Sequence, residues 1–209
     1  MKRRHIATIS AAMAGFLLLS ACTGNRRVSG TASTPTSTVA SDTGVPNSGA
    51  PKVQNPLPTK VLEGSPCDSA LTSTQIATFL GKPEQPEPST DQLGASCDWS
   101  NVEAGAGFTV GYQTKSDQGI SLAYKSVKPS AKRWVELESV QEYPAIGYAG
   151  TELVPGQNKN CVVVVGVSDE LAYSVSLVIG DAGAKAGKDA CKIGRDIADA
   201  VMTNLRQRA

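Results

Sequence analysis

The strongest constraint on the fold lies late in the chain. Cys161-Val162-Val163-Val164-Val165-Gly166-Val167 is a continuous apolar run rich in β-branched residues. Ser168-Asp169-Glu170 follow, and then Tyr173, Val175, Leu177 and Ile179 alternate with smaller or polar residues. Branching at Cβ stiffens χ1 and suits a pleated surface. A short unbroken apolar run reads as a strand buried on both faces, and strict alternation as a strand buried on one. The pair predicts a central β-hairpin.

Other elements fall into place around it. Thr72 and Gln75 fit a capping box ahead of Ile76, Phe79 and Leu80, and Gly81 supplies a stop, so a short helix is predicted over 72–80. Lys82 to Asp91, with three prolines, reads as a loop. Strands are predicted at Ser96–Ser100 and through Phe108, Val110 and Tyr112, joined by a turn at Gly105-Ala106-Gly107. Ile120, Ala123, Tyr124 and Val127 form one helical face ended by Pro129. Arg133–Val140 and Gly147–Val154 read as strands, with a bend at Tyr143-Pro144-Ala145. Ile193, Ile197, Val201 and Leu205 recur every four residues on a C-terminal helix from about Lys188. Neighbouring runs of strands imply an antiparallel sheet. The predicted fold is α+β: about six strands covered by two to three helices.

Five cysteines punctuate the chain. Cys67, Cys97, Cys161 and Cys191 fall in the predicted domain. Three pairings are open, and the equal spacings favour Cys67 with Cys97 and Cys161 with Cys191, each bond tying a helix edge to a strand. A loop of that size stabilises by roughly 3–4 kcal/mol when closed. No CxxC spacing and no nearby histidine points to a metal.

Cys22 stands apart. Met1 to Arg4 are basic, Ile6 to Leu19 are mainly apolar, and Leu19-Ser20-Ala21-Cys22 matches a bacterial lipobox. The apolar run is shorter than the ~20 residues of a permanent span and fits a secretory signal over 1–21. The expectation is a diacylated Cys22 on the outer face of the cytoplasmic membrane, since anchoring through acyl chains alone needs more than one. Residues 22–60 read as lipid anchor and disordered Ser/Thr/Pro/Gly linker, with a coil span of roughly 35 Å. The domain is assigned to 61–209. That part holds 13 basic and 18 acidic residues, a balance of −5, which disfavours nucleic acid as a partner.

The sequence excludes more catalytic chemistry than it offers. The sole histidine is His5, inside the signal, so the mature chain lacks imidazole for a catalytic triad or a zinc site. Carboxylates alone can perform acid–base work, and Glu136/Glu138 on a strand and Asp169/Glu170 in a turn are the pairs to consider. The first reads as a solvent-facing strand edge and the second as turn chemistry. Tyr124 and Lys128 fit Tyr-x-x-x-Lys without any dinucleotide-binding unit, and Tyr124 is better placed on a buried helix face. Gly105-Ala106-Gly107 and Gly111 have no helix behind them to cradle a phosphate. Trp99 and Trp134 could stack a ligand but are assigned to the core. No catalytic, cofactor-binding or metal-binding set emerges.

The lipobox, the Ser/Thr/Pro tether, Pro66-Cys67-Asp68, Cys97-Asp98-Trp99, Tyr143-Pro144-Ala145, Cys161 entering a Val-rich strand and Cys191 on the last helix together resemble an actinobacterial lipoprotein family of unknown function. The resemblance covers about 64–207. More distantly, the chain is similar to the extracellular sensor domains of mycobacterial receptor kinases. The resemblance implies a disulfide-bearing domain outside the cytoplasm and brings no catalytic residues. The expected role is a non-catalytic module binding an envelope lipid, glycan or protein. A carboxylate-dependent envelope hydrolase or transferase, and a structural or accessory subunit, are the alternatives.

Overall fold

A computed structural model of the chain describes residues 44–150 and 158–209. The lipobox, Cys22 and the linker up to residue 43 lie outside the described residues, as do 151–157.

A seven-stranded antiparallel sheet organises the domain. Its strands are β1 (Glu87–Thr90), β2 (Ala95–Asn101), β3 (Ala106–Gln113), β4 (Arg133–Glu136), β5 (Ala145–Ala149), β6 (Asn160–Gly166) and β7 (Ala172–Val178). Their order is β1-β2-β3-β7-β6-β5-β4. The predicted hairpin is β6–β7, in the middle, with Val163 opposite Val175. The helices are α1 (Pro66–Ser69), α2 (Ser73–Leu80), α3 (Ser121–Ser126), α4 (Asp181–Lys185) and α5 (Ala190–Arg206), preceded by a 3-10 turn at Thr59–Leu62.

One face of the sheet carries the main core. Cys97, Val110, Val175 and Val163 face each other across β2, β3, β7 and β6, and all are fully or almost fully buried. α5 lies over them, burying Ile197, Ala198, Val201, Met202 and Leu205. Each large apolar side chain so covered contributes about 1.5–3 kcal/mol. Asp189 caps α5, its Oδ1 accepting from the Cys191 N–H at 2.8 Å. The capping box of α2 is complete: Gln75 N–H donates to Thr72 Oγ1 and Thr72 N–H to Gln75 Oε1. Gly81 ends that helix at φ 80°, a conformation open mainly to glycine. Cys67–Cys97 joins α1 to β2 and Cys161–Cys191 joins β6 to α5, so both disulfides brace the same layer.

The structure departs from the sequence pattern in four places. A seventh strand, β1, occupies part of the expected 82–91 loop. All four of its residues are exposed, so no burial period betrays it. α1 and α4 are additional single-turn helices of 4 and 5 residues. β4 ends at Glu136 instead of Val140, and β5 begins at Ala145, where the bend was expected. Finally, packed chain begins well before Val61. Val53 is buried, its N–H donates to Asp169 Oδ1 at 2.9 Å, and Leu57 N–H donates to the Val167 carbonyl at 2.9 Å. Asn47 N–H reaches Ser121 Oγ at 3.0 Å. With one buried valine among polar and proline residues, this stretch has linker composition but a strap's contacts.

Candidate ligand-binding surface

The second face of the sheet is covered only in part. Ile120, at the start of α3, and Ala123 and Tyr124 within it pack on Ile146 of β5, Val164 of β6 and Ala172 of β7. The rest forms a row that crosses every strand: Glu87, Asp98, Thr109, Ser176, Val162, Tyr148 and Trp134 stand opposite one another in register. Paired residues in an antiparallel ladder point to the same side, so this row lines one face. Its β1–β7 part is small and polar. Ser89 Oγ donates to Asp98 Oδ2 at 2.8 Å, and Thr109 Oγ1 donates to Asp98 Oδ1. Its β4–β5 end is aromatic.

At that end the structure gathers residues that local motifs named separately. Glu136 Oε1 accepts from Trp134 Nε1 at 2.8 Å and from Lys128 Nζ at 3.0 Å, while Oε2 accepts from the Tyr124 hydroxyl at 2.6 Å. Trp134 and Tyr124 meet edge to face, their centroids 5.1 Å apart at 78°. Tyr148 lies parallel to Trp134 at 6.4 Å and 16°. The Lys128 ammonium sits 4.5 Å from the Tyr124 ring centroid and 5.0 Å from that of Trp134. Two perpendicular aromatic walls and a carboxylate therefore form a three-sided corner around a cation, the arrangement that ring quadrupoles favour.

Electrostatics separate the two acids of the corner. Partial burial pushes the Glu136 carboxyl up, but hydrogen bonds from Trp134, Tyr124 and Lys128 outweigh it and hold the group below its ordinary value. Burial, then the Glu136 carboxylate, push the Tyr124 hydroxyl well above the usual tyrosine range. At neutral pH the corner thus holds a fixed anion and a fixed donor.

The remaining sequence candidates scatter. Glu138 is 93% exposed and turns toward Arg195, so it makes no pair with Glu136. Asp169 holds the strap at Val53, and Glu170 accepts from Ser168 Oγ, so both are occupied in the β6–β7 turn. Trp99 is a core residue tilted against Phe108, their centroids 5.3 Å apart. Trp134, assigned to the core from sequence, instead stands half-buried on the open face. Gly105-Ala106-Gly107 belongs to the β2–β3 hairpin. Tyr148 was not anticipated; its register opposite Trp134 is the signal, and pairing cannot be read from one strand alone.

A hollow of about 560 Å³ lies elsewhere, beside Glu63, Asp68, Asn204 and Arg208. Several of its polar groups are committed: Arg208 donates to the Val61 and Glu63 carbonyls, Asn204 donates to the Ala70 carbonyl, and Ser69 pairs with the Tyr112 hydroxyl. Among the described residues no cluster of His, Cys, Asp and Glu suited to a metal occurs, and no helix is long and apolar enough to cross a membrane.

Fold and surface together define a disulfide-braced α+β domain with a helix-packed core face and a partly open, aromatic-ended sheet face. The chain belongs to a family described as "protein of unknown function (DUF3558)", whose profile matches residues 17–204. No curated protein and no solved structure matches it.

Proposed function

We propose that this chain is a lipid-anchored, extracytoplasmic binding module, non-catalytic, held to the membrane through Cys22. Its contact surface is the open sheet face, centred on the corner of Tyr124, Trp134 and Glu136. The observation that carries this reading is the fixed corner itself: an indole N–H and a phenol O–H aimed at one half-exposed carboxylate. Trp134 is partly exposed over a buried Tyr124, and pre-positioned aromatic groups lose little freedom on binding.

A carboxylate-dependent hydrolase is the weaker reading. General acid–base catalysis works best with a group poised near the working pH. Glu136 and Tyr124 are driven apart, one below its ordinary range and one above. The glutamate that sequence set beside Glu136 points away from it. The test uses the full chain. Cys22→Ala should release it from membranes into the soluble fraction. Trp134→Ala should lose envelope material that co-purifies with the unaltered chain. Turnover of that material, abolished by Glu136→Gln, would overturn the non-catalytic reading.

A further inference from the structure

The corner already holds a ligand of a definite chemistry, and that ligand is part of the chain. Lys128 follows α3 on a segment of exposed residues, and its side chain is 44% exposed against 55% for Glu136. A pair this open to water contributes little stability, so its ammonium exchanges at small cost. The site around it is better built than the pair. Glu136 is fixed by Trp134 and Tyr124, and neither contact needs Lys128.

A second observation concerns the backbone beside the corner. β4 is an edge of the sheet. Leu137 N–H donates to the Ala145 carbonyl, and Glu136 stands opposite Ile146. Ladder bonds alternate in an antiparallel pair. Trp134 and Glu136 therefore turn their main-chain N–H and C=O groups away from β5, along an edge that no strand among the described residues covers. The opposite edge is β1, whose Pro88 interrupts donors, with Pro86 just before it. β4 carries no proline. An extended peptide added along β4 would place a side chain opposite Trp134 or Glu136 about 5 Å away and on their face.

Resting on the reading of this face as the binding surface, we propose that the corner is a recognition site for a lysine-type primary ammonium presented by an extended peptide strand along β4, with Lys128 as the internal stand-in that it displaces. The charge complement is Glu136, and the walls are Tyr124 and Trp134. A primary ammonium keeps an N–H for Glu136 Oε1, as Lys128 does at 3.0 Å; a quaternary one has none to give.

The test titrates two blocked pentapeptides, one with lysine between valines and one with norleucine in its place, into the full chain, following the Trp134 indole N–H resonance. The lysine peptide should bind at least about tenfold tighter than the norleucine peptide. Lys128→Ala should tighten lysine-peptide binding by about two- to fivefold, the gain expected when a weakly held internal competitor is removed. Glu136→Gln, with the fold checked by circular dichroism, should erase the preference for lysine. Equal binding of the two peptides overturns the ammonium site. Unchanged affinity in Lys128→Ala overturns the stand-in. Free n-butylammonium matching the peptide overturns the added strand. If Trp134→Ala loses envelope material while neither peptide binds, the surface stands and its ligand class falls; if Trp134→Ala keeps that material, the surface itself falls.

Discussion

Glu136 shows how much one residue's role depends on partners distant in sequence. In the sequence it stands two positions from Glu138 and invites a catalytic pairing. In the fold its three donors are Trp134, Lys128 and Tyr124, and Glu138 is elsewhere. Its carboxyl sits below its ordinary value, so the sign of its pH response is set. A depressed carboxyl contributes order that is complete above its unfolded value, about 4.3, and is lost as pH falls through the lower, folded value. Acid titration should move the Trp134 indole resonance with a midpoint below the ordinary glutamate value of about 4.3. A shift centred above pH 5 would mean that the carboxylate is not held as described. Tyr124, Lys128, Trp134 and Glu136 were each legible by residue type and local motif. Their meeting was not, because it depends on α3 lying over the sheet beside β4.

At the scale of elements, the sequence disclosed what has a period or a cap. The capping box of α2, the four-residue repeat of α5 and the alternation of β7 all leave local marks. β1 leaves none, since both its faces are exposed. The strap leaves none either, as its single buried valine has no periodic companions. Some element contacts are set by what is missing from a side chain. Gly147 of β5 lies under the disulfide of β6 and α5; an added Cβ would stand 3.0 Å from Cys191 Sγ and 3.1 Å from Cys161 Sγ. A disulfide cannot swing aside as a free side chain does. Gly147→Ala should therefore destabilise the protein by about 1–3 kcal/mol, the cost of overpacking, read as a lowered midpoint in urea. An unchanged midpoint would show that β5 and α5 part more easily than their packing suggests.

Across the whole molecule, covalent bracing and open surface fall on opposite faces of the sheet. Both disulfides lie in the core layer, and the ammonium corner lies on the other. Removing the bridge of Cys161 and Cys191 as Cys161→Ala with Cys191→Ala should cost roughly 3–4 kcal/mol by loop closure, read from thermal and denaturant unfolding. Peptide binding at the corner should persist in whatever fraction stays folded. Loss of binding in parallel with stability would be no surprise; loss of affinity in the folded fraction would show that the two faces are coupled.

The strap has a mechanical consequence. Any tension reaching the domain from upstream of residue 44 arrives first at Asn47, held to Ser121, and next at Val53, held to Asp169. These attachments lie in series, so a steady pull peels them one after another and does not load them together. The strap would act as a fuse: its attachments let go in steps before load reaches the sheet and its two sulfur bridges.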